Sequence, residues 1–246
     1  MATDNPHWGE YSIRDRLADL GIAVSDRTVT AVLRRNGIPP APQRSKGNDW
    51  QRFISSHWPH LAAIDFATFE VPSGNRTKRH HALYAMRVAT REVRLLGVTE
   101  HADGGWTLNR LREAAMCDVG FLNNMNVVIM DRDPLFTNLV KSRLASAGCQ
   151  PKVLPPRSPN LNAYIERFIG TVRREIGRQI IPLSTAHLET TLHEHIGYHN
   201  HERNHQGLSG HPIPIPLRDR EVNPAHPVQC RSRHGKTLNY YYRAAI

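Results

Sequence analysis

Three carboxylates stand where carboxylates are uncommon. Asp65 interrupts the apolar run LAAIDFATFEV (61–71), Asp131 closes a second run in NVVIMDRDPLF (126–136), and Glu166 sits in SPNLNAYIERFIGTVRRE, with 34 residues (132–165) between the last two. Aspartate is depleted in strands and rarely buried without a partner, so two such placements ask for one. Oxygen ligands from two strands and a helix suit a hard divalent cation. Mg²⁺ takes carboxylates and keeps its other positions for water or substrate phosphate, and paired ions clamp both oxygens of an in-line phosphoryl displacement. The chemistry these residues would do together is an in-line phosphoryl displacement.

The elements that must position them are legible from periodicity. From Asn162 or Ala163 onward, Ile165, Phe168, Ile169, Val172, Ile176 and Ile180 form one apolar helical stripe, while Glu166, Gly170, Arg173, Arg174 and Gly177 occupy the opposite face. Taken alone, that face would equally be a solvated surface with ordinary charges. After strand 61–71, the turn PSGNRTKRH holds Arg76, Lys78 and Arg79, and HALYAMRVAT and REVRLLGVTE complete an antiparallel meander. A helix WTLNRLREAAM, a strand NVVIM beside the first, a helix ending at Gly148, a short strand CQPKVLPP and the Glu166 helix follow. Three antiparallel strands and then alternating helices and strands predict an α/β fold, a mixed sheet flanked by helices. In such a sheet Asp65 and Asp131 lie side by side, and the Pro- and Asn-rich loop 155–162 decides whether Glu166 reaches them.

These words carry a resemblance. Asp65, Asp131 and Glu166 resemble the D, D, E signature of the retroviral-integrase superfamily, and MDRDPLF, SPNLNAYIERFIGTVRRE and YHNHERNHQGL (198–208) are similar to its bacterial insertion-sequence transposases, over roughly Trp50 to Leu208. The resemblance implies a ribonuclease-H-like core, two Mg²⁺ or Mn²⁺ ions and DNA strand transfer by a homo-oligomer on paired element ends. Asp65 would bridge the ions, with Asp131 and Glu166 each holding one. Asp133 competes for the second position; Asp131 is preferred because Phe136 then falls five residues on and because Asp131 ends the apolar run. Leu135 stands where the family word has a polar residue.

Composition agrees with a nucleic-acid partner. Lys and Arg number 32 against 22 Asp and Glu, for a net charge of +10 and a pI near 10.0. That balance favours polyanions through counterion release, although membrane-surface proteins share it. Arg157, Arg167, Arg173 and Arg174 are the expected phosphate contacts of the core. Three scattered cysteines with no CxxC pair suit a reducing cytoplasm, with association to the nucleoid, and no apolar run approaches the ~20 residues of a membrane span.

Four segments are expected: a helical module at 1–37, a linker at 38–49, the integrase-like core at 50–210, and a Pro-rich then basic and aromatic tail at 211–246. In the module, Ile13, Leu17 and Leu20 share one helical face. Ser25 caps a second helix that turns Val29, Val32 and Leu33 inward and stops at Gly37. A packing hairpin and part of a helix-turn-helix read alike from residues alone; the resemblance favours the latter, with Arg27, Arg34 and Arg35 on DNA. Nine residues precede its first helix, which predicts a start internal to a longer frame. His193, His195, His199, His201 and His205 lie on a helix expected over 184–208, at spacings unlike a compact zinc site, and are expected to be solvated. The tail, with Tyr240 to Tyr242 among arginines, reads either as a hairpin on DNA or as an edge packed on the core. Two rivals stay open beside the transposase: a ribonuclease-H-like nuclease that stops at hydrolysis, and a truncated, catalytically inactive DNA-binding derivative.

Overall fold

A computed structural model describes residues 1–5, 8–41, 56–116, 119–154, 162–205, 226–234 and 237–243. The chain separates into two compact units, Met1–His57 and Trp58–Ile246.

The first unit holds two helices, α1 (Glu10–Asp19) and α2 (Asp26–Arg35). Ser25 caps α2 as its residue type predicts, its hydroxyl accepting the Thr28 N–H at 3.1 Å. Gly37 ends the helix with φ of +66°, a left-handed conformation that glycine adopts without steric cost. Ile13 and Val29 are buried, with Trp8, Leu17, Val24, Leu33 and Ile38 packed around them. Leu20 and Val32 are instead exposed, because two short helices bury only a narrow stripe each.

The second unit is built on a five-stranded mixed sheet. Strands β1 (Leu61–Ser73), β2 (Arg76–Arg87) and β3 (Val93–Thr99) form the antiparallel meander, and β4 (Val127–Met130) and β5 (Gln150–Val153) join it in parallel, in the spatial order β3-β2-β1-β4-β5. Helix α3 (Gly104–Ala114) connects β3 to β4 and α4 (Asn138–Ser146) connects β4 to β5, with α5 (Ala163–Glu175) and α6 (Thr185–His201) following. This is the ribonuclease-H-like α/β arrangement. The turn after β1 is tighter than expected: β2 begins at Arg76, so Arg76, Lys78 and Arg79 lie on a strand, where cross-strand pairing to Ser73, Val71 and Glu70 extends the ladder.

Strand alternation splits the core into two layers. Ala62, Ile64, Leu83, Ala85, Val128 and Met130 face Leu111, Val140 and Leu144 of α3 and α4. Ala63, Tyr84 and Ile129 face the other way, where Phe168 of α5 meets the Tyr84 ring edge-on at 5.4 Å. The apolar stripe read in α5 is the one it buries: Ile165, Phe168, Ile169, Val172 and Ile176. The helix stops at Glu175, five residues before the end of that stripe. A Cβ on Gly177 would sit 3.0 Å from the Arg173 carbonyl, a close contact that glycine avoids.

Helix α6 buries Leu188, Leu192 and Ile196 as expected, but also His195 and His199, which were expected in solvent. The reason is polar pairing. His195 Nε2 meets Glu175 at 2.9 Å, His199 Nε2 donates to the Arg91 carbonyl at 3.2 Å, and His199 packs edge-on against Phe168 with ring centroids 4.7 Å apart. Asn200 closes the edge of β3, accepting the Val93 N–H and donating to the Val93 carbonyl. The tail forms a hairpin, β6 (Val228–Arg233) and β7 (Leu238–Arg243), tied to the end of α6 by Arg231 and Arg233 on Glu202. No helix among the described residues is long and apolar enough to cross a membrane.

Candidate active site

Asp65 and Asp131 are neighbours because of a strand register. β1 and β4 run parallel with Leu61 beside Val127, Ala62 beside Val128 and Ala63 beside Ile129. Two residues further along each chain, on the same face, come Asp65 and Asp131. That face is the one α5 covers. Asp131 sits one residue past the end of β4, where the chain turns: its carboxylate accepts the Asp133 N–H at 2.9 Å, and Asp133 in turn accepts the Leu135 N–H at 2.8 Å. Asp133 is therefore the residue that shapes the turn and Asp131 the one in line with Asp65.

The electrostatics report a shared negative field. The Asp65 carboxyl is pushed up to about 7, first by burial, then by the charges of Asp131 and Glu166, with the Phe66 N–H and the Arg173 guanidinium pulling the other way. Asp131 is also raised, by burial and by the charge of Asp133, against the bond from the Asp133 N–H. Glu166 lies in the first turn of α5, exposed, close enough for its charge to act on Asp65. Among the described residues no three His, Cys, Asp or Glu side chains are gathered tightly enough to hold one ion. The loop that sets the reach of Glu166 lies, over 155–161, outside the described residues.

Two residues missed in the sequence complete the surroundings. Asn162, which directly precedes α5, is 1% exposed, donates to Asp65 Oδ2 at 3.5 Å, and leaves its Oδ1 without a partner among the described residues. Tyr84 pairs across β1 and β2 with Asp65; it is fully buried, and its hydroxyl also lacks a partner among the described residues. Burial pushes that phenol far above its ordinary range, so it stays a neutral donor. Asn162 had a signal, its place inside the SPNLNAYIERF word; Tyr84 reads in sequence as an ordinary apolar strand position. The donor set is all oxygen, and a carboxyl raised by burial and then by neighbouring charge, together with an amide oxygen unpaired among the described residues, fits a hard divalent cation.

The predicted phosphate contacts separate. Arg173, two helical turns after Glu166 and exposed, acts electrostatically on both Asp65 and Tyr84, so it stands on the carboxylate flank. Arg174 donates to Thr171 Oγ1 at 3.1 Å, and Arg167 lines a different cavity. Arg157 lies outside the described residues. Arg27, Arg34 and Arg35 are exposed on α2 of the other unit.

Comparison with known proteins bears on one part of the chain. Residues 147–212 match the family described as integrase core domain, a stretch that contains β5, the Glu166 helix and α6. Among curated proteins none matches the chain.

Proposed function

From a chain whose residues 147–212 match the integrase core domain family, we propose a DNA transposase that cuts phosphodiesters at element ends and joins them to target DNA. The observation that carries this reading is the placement of Asp65, within β1, beside Asp131, which directly follows the adjacent parallel strand β4, under the helix that bears Glu166. Asp65, Asp131 and Glu166 would hold Mg²⁺ or Mn²⁺, with the Asn162 amide steadying Asp65. The bound metal supplies Lewis acidity to the phosphodiester and to the attacking oxygen.

The chain's own groups do the rest. Arg173 offers its guanidinium to the phosphate on the carboxylate flank and partly balances the negative field of the acids. Tyr84 offers a buried hydroxyl beside Asp65 to whichever oxygen arrives there. The N-terminal unit presents Arg27, Arg34 and Arg35 to duplex DNA in helix-turn-helix manner, and two or more copies act on paired ends.

The test is a strand-transfer assay with pre-cut ends from the gene's own flanks, in Mg²⁺ or Mn²⁺, on wild type and Glu166→Gln. Joined product from wild type alone supports the assignment. Equal joining by Glu166→Gln removes it, and cleavage without joining moves the reading to a nuclease.

A further inference from the structure

A second cavity, of about 370 Å³, opens on the other side of α5, and arginines line it from three directions. Arg91 comes from the turn between β2 and β3, Arg167 from α5, and Arg203 from just past α6. Tyr164, His199 and His205 complete the wall that matters here. Among the described residues no aspartate or glutamate lines it.

Arg91 and Arg203 are held in place, and Arg167 is exposed on the helix. Arg91 adopts a left-handed backbone with φ of +66°, donates to the Val88 carbonyl, and lies over the Tyr164 ring at 3.4 Å and against Trp58 at 5.3 Å. Arg203 is held by Glu175 at 2.8 and 3.0 Å, an acid that also binds His195. Arg167 follows Tyr164 by one helical turn. Among the described residues neither Arg91 nor Arg167 forms a salt bridge with a carboxylate.

The excess of positive charge is felt by its neighbours. Burial lowers the Arg91 guanidinium, and the charge of Arg167 adds to that against the favourable Tyr164 contact. His199 is held down at about 3, by burial first and then by His205, His195 and Arg203. His205 is lowered by burial and by Arg203 and Arg91. Glu175 offsets Arg203 but leaves Arg91 and Arg167 without an acid among the described residues. A partly buried cation such as Arg91 is costly without an anion, and planar guanidiniums in a fork match the oxygens of a phosphate.

We infer that this cavity is a phosphate-binding site, built by Arg91, Arg167 and Arg203, for a phosphodiester of a nucleic-acid strand or the phosphate of a free small molecule. The strand source rests on the transposase reading, since Arg167 adjoins Glu166 on α5; the phosphate chemistry does not.

The test uses the full chain in EDTA, so that catalysis plays no part. Binding of a labelled DNA duplex of arbitrary sequence is measured over a salt series for wild type, Arg167→Gln and Arg91→Gln, and thermal melting of each is followed with added pyrophosphate. If the strand is the source, each substitution reduces the slope of log K against log salt by about 0.9, the loss of one phosphate contact. If a free phosphate is the source, the DNA slope holds, while pyrophosphate raises the melting temperature of wild type and not of the variants. An unchanged slope together with an unchanged pyrophosphate response in Arg167→Gln, whose exposed side chain should not affect folding, overturns the site. Loss of joining in the strand-transfer assay bears on the carboxylates alone and leaves this result standing.

Discussion

Two groups of buried acids in the same unit are treated in opposite ways. Glu175 and Glu202 are compensated: Arg203 and His195 bind the first, Arg231 and Arg233 the second. Burial pushes both acids up, but those bonds outweigh it and hold both below the ordinary carboxylate range. Asp65 and Asp131 meet burial and the charge of neighbouring acids, Asp131 and Glu166 for the first and Asp133 for the second, with no cation bonded to them among the described residues, and both are raised. The difference separates acids that have cation partners within the fold from acids that have none among the described residues, and the latter suit the metal-holding role proposed for them. A carboxylate with raised affinity for a proton, in a site built of oxygens, is one that a divalent cation would satisfy.

The largest expected effect breaks the uncompensated group. Asp65→Asn should lower strand transfer by more than about 100-fold, beyond the ~10–100-fold typical of losing a group that only orients a ligand. Its urea midpoint should stay level or rise, because a repelled charge is removed. An unstable Asp65→Asn would place Asp65 with the structural acids instead.

Breaking the compensated group should do the reverse. Glu202→Gln leaves Arg233 and Arg231 without their acid and should cost about 2 kcal/mol of stability, below the ~3–5 typical of a fully buried pair because both arginines are partly exposed. Hydrogen exchange over 228–243 should speed up as the hairpin loosens from α6, with turnover per folded molecule little changed.

Acid sharpens the comparison. His199 is buried and surrounded by His195, His205, Arg203 and the Arg91 carbonyl, so the folded state resists a proton that the unfolded chain binds near 6.5. Stability should therefore be level above about pH 6.5 and fall by up to about 1.4 kcal/mol per pH unit from there toward 3. Below the ordinary carboxylate range the contributions of Glu175 and Glu202, whose folded-state values are depressed, should go as well. Urea titrations across pH on wild type and His199→Asn would show it: the variant should have a smaller slope between pH 6 and 5, the remainder coming from His205 and His234, which are lowered too, and an unchanged slope there removes His199 as a source.

Tyr84→Phe is the smallest and most diagnostic change. Its hydroxyl makes no bond among the described residues, so stability should hold or rise by less than about 1 kcal/mol. A drop in strand transfer with unchanged melting would assign the hydroxyl to the arriving substrate; equal activity would leave it a core ring only.

Much of the scaffold is legible in the residues. The stripe from Ile165 to Ile176 named the face α5 buries, Ser25 named a cap, and Asp65 and Asp131 marked the strands that became neighbours. These are local or periodic signals, and periodicity survives without any knowledge of what lies opposite. The histidines of α6 show where that fails. A histidine on a helix reads as polar, yet His195 and His199 are buried because Glu175 and the Arg91 carbonyl, distant in sequence, stand there to satisfy them.

By itself the sequence determined the order of elements, the oxygen chemistry of its three acids and a net charge of +10 suited to a polyanion. Only the tertiary structure decided which further polar groups meet: Asp65 with Tyr84, Arg91 with Arg167 and Arg203, Glu202 with the hairpin. The reason is that secondary structure follows from propensities and periods along the chain. Electrostatics acts through space, between residues whose separation in sequence carries no trace of it.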